Sequence, residues 1–177
     1  MSLCSKAQNP DRIITVKNDT IPCTITLMAD EYSYSYKKVE KDEPIKIETT
    51  NVKEFYSGDK KIWKRRVYQN GHLIPYFLTV IELGKISLFE DVTTLTSYGP
   101  FNTTSVSKTI EWYVAKGNDH ADLLKSSKFK VFGEKKSHNA FVALIEDNKE
   151  VYNKFLVDNS FSFDEIKSIV ELYNKRN

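Results

Sequence analysis

The sequence predicts an α+β fold in which a β-rich amino-terminal part is followed by further strands and then by helices. The chain has 177 residues, and its ten Tyr and ten Phe belong to the residue types that favour strands. Turn signals divide the larger, amino-terminal part into short segments with period-two alternation. Helical spacing of apolar residues appears only near the carboxyl end. Strands first and helices last are typical of the α+β class.

Six short strands are predicted ahead of Asn70, and their close spacing favours a small barrel or a strongly bent sheet over residues 11–70. The first two strands meet at Asn18-Asp19, a two-residue turn of the kind that tolerates positive φ. Pro22 indicates an edge or a bulge in the second strand. The six strands are predicted at residues 13–17, 20–28, 31–37, 45–49, 52–56 and 60–69.

A second segment, residues 71–177, begins after the turn signal Asn70-Gly71. Its most apolar passage is residues 76–91, where runs of β-branched and aromatic residues flank Gly84-Lys85. This pattern predicts two strands joined by a tight turn. Because the passage carries no reactive side chains, we interpret it as scaffold for the elements that follow.

The partners expected for this scaffold are a strand around Trp112 and a capped helix that begins near Phe163. Residues 93–107 contain many Ser and Thr together with Gly99-Pro100, so they are predicted to form a loop or an irregular extension. Strands are predicted at residues 109–115 and 121–124, on either side of a turn.

Two or three short helices are predicted to close the chain. Asn148 is a candidate cap for one of them. Ser162 and Glu165 form a capping box, and Phe161 and Ile166 are placed to form a hydrophobic staple. The apolar stripe of this last helix is Ile166, Ile169, Val170 and Tyr173.

Residues 1–10 are interpreted as the remainder of a secretory signal and a linker. Ser5 and Ala7 fit the small-x-small pattern that signal peptidase accepts, which predicts export to the periplasm or the cell surface. Two alternatives stay open. One is a lipid anchor on Cys4, although Leu3 stands where a small residue is usual, and the other is a cytoplasmic amino terminus.

The composition is that of an ordinary globular chain, with 40% hydrophobic and 28% charged residues. No apolar run approaches the roughly 18 to 20 residues that span a bilayer. The net charge is +2, which lacks the strong basic bias of a duplex DNA binder. Cys23 is predicted on the buried face of a strand as an inert thiol, and a disulfide with Cys4 would need an oxidising compartment.

No recognisable catalytic or metal-binding motif occurs in the sequence. His72, His120 and His138 stand in separate segments without a Cys or His at ligand spacing, so neither a metal nor a cofactor is predicted. Phosphate loops, nucleophile elbows and zinc-protease motifs are missing as well. Asp119-His120 is an adjacent acid–base pair, but neighbours on a turn usually point apart. A hydrolase with a dispersed Ser/His/Asp site remains an alternative.

The strand at residues 60–66 carries five positive charges around an aromatic ring. Trp63, Lys64, Arg65 and Arg66 are therefore candidate ligand-binding residues for an anionic polymer or single-stranded nucleic acid. The alternative is a solvated strand edge whose lysines discourage pairing with other strands. Export would remove nucleic acid as a natural partner and leave a glycan or an anionic surface.

A second candidate group is aromatic. Tyr32, Tyr34 and Tyr36 share one face of a predicted strand. Together with Tyr56, Trp63 and Tyr68 they would line a groove for a peptide or a sugar. The alternative is that this face packs in the core, as such stripes often do.

Three passages resemble a known group of proteins. They are Phe77 with residues 83–89, residues 112–116 and residues 163–174, in that order. They resemble a loose set of uncharacterised exported proteins of Gram-negative bacteria, and the front strands around Asn18-Asp-Thr-Ile21 are similar to small SH3-like or Sm-like barrels. The resemblance lies in packing residues, implies an envelope location and carries no catalytic residues.

The favoured function is a non-enzymatic extracytoplasmic module that binds another protein or an extracellular ligand. This hypothesis depends on the signal-like amino terminus, the aromatic strands and the lack of a catalytic motif. A hydrolase and a binder of anionic polymers through residues 60–66 are the alternatives.

Overall fold

The computed structural model describes residues 10–28, 33–38, 43–69, 71–117, 120–128, 131–158 and 160–175. Its strands precede its helices, which confirms the predicted α+β class. The strands are β1 Arg12–Thr15, β2 Thr20–Leu27, β3 Tyr34–Lys38, β4 Ile45–Lys46, β5 Val52–Ser57, β6 Lys60–Gln69, β7 His72–Glu82, β8 Ile86–Tyr98, β9 Thr104–Lys116 and β10 His120–Ser126. The helices are α1 Val131–Ile145, α2 Lys149–Asp158 and α3 Phe163–Lys175.

The strands are arranged in the order β10-β9-β8-β7-β6-β5-β1-β2-β3-β4. Five of them, β6 to β10, close into a small barrel because β10 pairs in parallel with β6, with His120 opposite Arg66. The chain divides into two compact units. Unit 1 comprises residues 1–64 and 75–79, and unit 2 comprises residues 65–74 and 80–177.

Unit 1 is an antiparallel sheet whose inward side chains form an apolar core. Period-two alternation places Ile13, Phe55 and Ile62 at mutually paired positions of β1, β5 and β6. The core cluster consists of Ile13, Cys23, Ile25, Ile47, Val52, Phe55 and Ile62. Asn18, in the turn after β1, adopts a φ of 67°. The turn is longer than the predicted two residues, since the Thr15 N–H donates to the Asp19 carbonyl across the three residues 16–18.

Asp11 ties two distant parts of unit 1 together. Its Oδ2 accepts a hydrogen bond from the Ile25 N–H at 2.8 Å, and its Oδ1 accepts one from the Gly58 N–H at 2.8 Å. Burial raises the pKa of the nearby Cys23 thiol, and the charge of Asp11 raises it further. Cys23 is therefore a buried, protonated thiol, in agreement with its predicted place on a core-facing strand.

The core of unit 2 lies between one face of β8 and β9 and the three helices. β8 and β9 contribute Ile86, Leu88, Trp112 and Val114 to it. The predicted stripe of α3 is fully buried in this cluster. Ser162 and Asn148 are confirmed as caps, since Ser162 Oγ accepts from the Glu165 N–H and Asn148 Oδ1 accepts from the Val151 N–H. The second half of the predicted capping box is not seen, because Glu165 Oε1 has no hydrogen-bond partner among the described residues.

The tight turn between β7 and β8 is held by the last turn of α3. The Asn174 side chain accepts a hydrogen bond from the Ile86 N–H at 3.1 Å and donates one to the Ile86 carbonyl at 2.9 Å. A Cβ added to Gly84 would collide with the Asn174 side chain. Glycine at this position therefore leaves room for the Asn174 hydrogen bonds, and the scaffold role predicted for the central passage is confirmed.

A small polar network ties β9 to the end of α1. Lys116 Nζ donates to the Leu144 carbonyl at 2.6 Å and lies 2.8 Å from Asp147 Oδ2. The buried Tyr173 hydroxyl donates to the same carboxylate. The Lys116 hydrogen bond lowers the pKa of Asp147, against burial, and Tyr173 lowers it further.

The sequence prediction for residues 93–107 is wrong. Most of this stretch belongs to two regular antiparallel strands, β8 and β9, which are each 13 residues long. Gly99-Pro100 marks only the turn between them. Thr, Val and Tyr all have high strand propensity, and the pairing extends without a break to Tyr98 and Thr104.

Candidate functional site

The β8–β9 hairpin changes character along its length. Pairing runs in register from Ile86 and Lys116 at its base to Tyr98 and Thr104 at its end. At the base, the β8 residues 86–89 and the β9 residues 112–115 are all buried. From residue 95 to residue 108, every side chain that the structure describes is exposed. We call residues 95–108 the arm.

Large apolar side chains lie on the arm without any cover. Phe101 is 99% exposed, Tyr98 84% and Val106 66%. Lys108 is the only charged residue of the arm, in a chain of which 28% of residues are charged. The remaining side chains are mostly Ser and Thr. The arm therefore presents aromatic, aliphatic and hydroxyl groups to its surroundings, and almost no charge.

The tip of the arm is a closed and ordered turn. The Gly99 N–H donates to the Thr103 carbonyl at 2.7 Å, and Thr103 Oγ1 donates to the Pro100 carbonyl at 2.9 Å. Phe101 lies between them with φ 63° and ψ 33°. This left-handed conformation costs a residue with a Cβ about 1–2 kcal/mol. The turn thus holds an aromatic ring outward in a conformation that glycine or asparagine would adopt more easily.

One face of the arm continues the face that the helices cover at the base. Side chains alternate along a strand, so Tyr98 lies on the same face of β8 as Leu88, and Val106 lies on the same face of β9 as Trp112. Leu88 and Trp112 belong to the buried core under the helices, whereas Tyr98 and Val106 are exposed. The apolar character of this face therefore extends beyond the part that is covered.

Two of the aromatic residues predicted to line a groove, Tyr34 and Tyr36, lie against the core of unit 1. Tyr32 is outside the described residues. Tyr34 and Tyr36 are half-buried and pack on the unit 1 core, and the Tyr34 and Phe55 rings are 4.9 Å apart. Their position matches the alternative reading of this stripe as a core-facing strand.

Trp63 and Lys64 lie on β6 within unit 1. Lys64 Nζ donates to the Thr49 carbonyl at 3.1 Å, while Trp63 lies opposite Glu54. Lys61 Nζ is 4.8 Å from the centre of the Trp63 ring and 3.3 Å from Glu54 Oε2. Lys61 and Glu54 are therefore neighbours of Trp63 on this face.

The same face of unit 1 carries a second contact between a cation and an aromatic ring. Arg12 Cζ lies 3.7 Å from the centre of the Tyr56 ring, and the Tyr56 hydroxyl donates to Glu54 Oε1 at 3.1 Å. The sequence analysis placed Tyr56 in a candidate groove but overlooked Arg12, because only the pairing of β1 with β5 brings the two side chains together. Arg12, Tyr56, Lys61 and Trp63 lie in a row on this face, which we call the ladder.

Arg65 and Arg66 lie in unit 2. The Arg65 guanidinium is 5.2 Å from the centre of the Phe89 ring, and its side chain is half-buried. Arg66 is exposed and lies opposite His120 in the β6–β10 pairing. Strand alternation turns neighbouring side chains to opposite faces, so Arg65 and Arg66 do not share a surface.

The histidines are dispersed, as their sequence positions suggest. His120 Nε2 lies 3.7 Å from Asp122 Oδ2, longer than a hydrogen bond, and Asp119 is outside the described residues. His138 packs against the Phe155 and Phe161 rings. In the part of the chain that the structure describes, no three His, Cys, Asp or Glu side chains are grouped for metal binding.

The described residues include no helix that is both long and apolar enough to cross a membrane. In comparisons with known proteins, no family model, curated protein or solved structure matches this chain. The function must therefore be inferred from the residues themselves. Among the described residues, those of the arm expose large apolar side chains that the core does not use.

Proposed function

We propose that this chain is a non-enzymatic recognition module that binds another protein through the arm. The observation that carries the proposal is the exposure of Phe101, Tyr98 and Val106 on a hairpin end with one charged residue. These side chains contribute nothing to the core, because both faces of the arm are exposed. Exposed apolar groups concentrated on one projection are typical of an interaction surface.

The composition of the arm supports a protein as the partner. Tyr supplies large, rigid contact area at low entropic cost, and Ser, Gly and Asn supply adaptable hydrogen bonds, as in the binding loops of antibodies. A Phe or Tyr side chain buries about 150–250 Å² when it is covered, and full burial of Phe contributes about 1.5–3 kcal/mol. Burial of Phe101 and Tyr98 therefore supplies a substantial part of the binding free energy of a complex of moderate affinity.

The closed tip supports the same proposal. A turn that is already hydrogen-bonded loses less conformational entropy on binding than a loose loop does. The strained φ of Phe101 supports the proposal as well. Unfavourable backbone conformations that stabilise no core contact are concentrated at functional sites.

Charged partners are less well matched by the structure. An anionic polymer or lipid surface attracts clusters of basic side chains, and each contributes only modestly. The arm offers Lys108 alone. In the ladder of unit 1, the charge of Lys61 is paired with Glu54 at 3.3 Å, and Arg12 makes no ion pair with a carboxylate of the described residues.

The proposal is tested by crosslinking from the tip. A photo-crosslinking phenylalanine analogue in place of Phe101 is expected to capture one protein species in cells that express the natural gene. The same analogue in place of Val157, which is 83% exposed on α2, is the matched control. The captured protein is then purified, and its Kd is measured with the wild-type chain and with Phe101→Ala.

We expect Phe101→Ala to raise the Kd by at least about tenfold, since about 1.4 kcal/mol of lost burial corresponds to a factor of ten. Equal affinity of the variant would contradict the proposal. So would binding of neutral phosphatidylcholine vesicles that depends on Phe101, because the arm would then insert into lipid.

The extracytoplasmic location belongs to the proposal as well. It is supported by the pattern around Ser5 and Ala7, which lies outside the described residues. Fractionation of cells that express the natural gene is expected to place the protein in the envelope or outside the cell. Recovery in the cytoplasm would contradict the proposed location. The role of the arm would still be tested by the crosslinking experiment.

A further inference from the structure

The outer edge of the arm exposes backbone hydrogen-bonding groups of β9. The neighbours of β9 in the sheet are β8 and β10. β10 pairs with β9 only over residues 111–114. At the next position, Ser127 forms hydrogen bonds with both the N–H and the C=O of Ile110. Within the described residues, β9 is therefore paired on one side only from Thr104 to Thr109.

The identity of the exposed groups follows from strand geometry. In an antiparallel strand the N–H and C=O of one residue point to the same side, and successive residues alternate. Ile110 points away from β8, because its N–H donates to Ser127 Oγ and its carbonyl accepts from the Ser127 N–H. Thr104, Val106 and Lys108 consequently direct their N–H and C=O groups to the open edge, while Ser105 and Ser107 pair with β8.

This edge lacks most of the devices that keep strand edges apart. Natural proteins protect an open edge with several charges, a proline, a bulge or a covering loop. The arm is paired without a bulge in β8–β9, and all of its described side chains are exposed. One lysine is the only protective feature of β9 between residues 104 and 109.

We infer that the partner adds an extended segment to this edge of β9, antiparallel or parallel, and places an acidic side chain next to Lys108. This inference rests on the proposed function and specifies the partner. Three N–H and C=O pairs at Thr104, Val106 and Lys108 supply main-chain hydrogen bonds, as in recognition by strand addition. Phe101 and Tyr98 then contact the partner beyond the end of the added strand.

Charge complementarity selects the occupant. The arm contains no acidic residue, and no carboxylate among the described residues pairs with Lys108. A second copy of the same edge would therefore leave Lys108 without a counter-charge. A partner segment with Asp or Glu at the facing position satisfies it, so a different protein fits this edge better than a second copy does.

Selection from a display library of random short peptides against the wild-type chain tests the inference. Val106→Pro removes an outward N–H without removing a hydrogen bond between β8 and β9, and Val106→Thr keeps that N–H as the matched control. We expect selected peptides to be enriched in Asp and Glu. We expect their affinity to fall at least about tenfold with Val106→Pro, the effect of losing a hydrogen bond and blocking its neighbours, and little with Val106→Thr.

Lys108→Glu is expected to weaken the same peptides, and replacing their acidic residue by Lys is expected to restore binding to Lys108→Glu. Amide hydrogen exchange gives a second readout that does not depend on substitution. Bound peptide should slow exchange of the Thr104, Val106 and Lys108 amides at least about tenfold, as hydrogen-bonded edge amides become protected. The Ser105 and Ser107 amides, already paired with β8, serve as the internal reference for an intact hairpin.

Each other outcome separates this inference from the proposed function. Peptides that need Phe101 but tolerate Val106→Pro, with no protection of the three edge amides, would overturn strand addition and leave the arm as the binding surface. A wild-type dimer that Val106→Pro dissociates would show that a second copy occupies the edge. A library that returns no peptide dependent on the arm would contradict both the inference and the proposed function.

Discussion

The two ends of the β8–β9 hairpin share strands and register but differ in what surrounds them. At the base, Leu88 is fully buried and contacts the helix-covered core of unit 2. At the arm, Leu95 in the same strand is 45% exposed. The base stabilises the fold, and the arm is long, regular and uncovered. The proposed function therefore assigns folding to one end of this hairpin and recognition to the other.

The basic residues of β6 and the exposed residues of the arm differ in how far the described part of the chain contacts them. The side chains of the basic residues of β6 lie on opposite faces of the strand. Lys64 contacts Thr49, and Arg65 contacts Phe89. The arm, by contrast, has apolar side chains and backbone groups that the described part of the chain leaves uncovered. Physical need for a partner is greatest where burial and hydrogen bonding are incomplete.

The largest difference between the two ends should appear on truncation of a leucine. Leu88→Ala is expected to lower the free energy of unfolding by about 2–5 kcal/mol, since it opens a cavity in the core. Leu95→Ala is expected to change it by no more than about 0.5 kcal/mol, as exposed substitutions usually do. Urea denaturation of both variants measures this, and similar losses would show that the arm is packed in solution.

The connection of the base to α3 should come next in size. Asn174→Ala removes both hydrogen bonds to the Ile86 backbone and is expected to cost about 1–3 kcal/mol, the penalty for leaving buried polar groups unsatisfied. Asn153→Ala, at an exposed position of α2, corrects for the helix propensity of alanine. Equal stability of the two variants would show that Asn174 contributes nothing to the β7–β8 turn.

The Asp147 network provides a smaller, pH-dependent effect at the base. Lys116 and Tyr173 lower the pKa of Asp147. The resulting stabilisation is present above the unfolded-state pKa of about 3.9 and is lost as the pH falls through the folded-state pKa. Since the Asp147 side chain is 56% exposed, we expect Asp147→Asn to cost less than about 1 kcal/mol at neutral pH.

Urea unfolding of the wild type and Asp147→Asn across the acid range checks the sign of this effect. The difference in unfolding free energy should shrink as the pH falls through and below the lowered pKa of Asp147. A constant difference at every pH would mean that the substitution acts through packing and not through the charge.

A further small change in stability is expected at the tip of the arm. Phe101→Gly relieves a left-handed strain of about 1–2 kcal/mol but adds backbone entropy to the unfolded chain worth about 0.5–1 kcal/mol. The free energy of unfolding should therefore rise by about 0–1.5 kcal/mol and should not fall. A clear loss of stability would show that the Phe101 ring packs against the protein in solution.

Much of the scaffold could be predicted from the sequence, because local signals and packing agreed there. The Ser162 cap, the α3 stripe and the Gly84-Lys85 turn all follow from short-range patterns that the structure satisfies. The requirement of Gly84 for space is different. It depends on Asn174, which lies far away in sequence and whose approach no local pattern shows.

The arm could not be predicted as two paired strands, because its composition fits both a loop and a strand. Ser, Thr, Gly and Pro indicate a loop, whereas Thr, Val and Tyr also have high strand propensity. Without an alternation of buried and exposed positions, periodicity does not distinguish a two-sided exposed strand from a loop. The ladder of unit 1 was missed for another reason, since Arg12 meets Tyr56 only through the register of β1 and β5.

A shortened hairpin tests the role of the arm most directly. Replacing residues 96–106 by Asn-Gly joins Leu95 to Ser107, a cross-strand pair whose backbone groups face each other, through a turn that suits such a pair. Urea unfolding first checks that the variant keeps its fold. The decisive measurement is then its Kd for the protein captured by crosslinking at position 101. We predict a folded variant whose affinity for that protein falls below detection, and wild-type affinity in the shortened chain would contradict recognition through the arm.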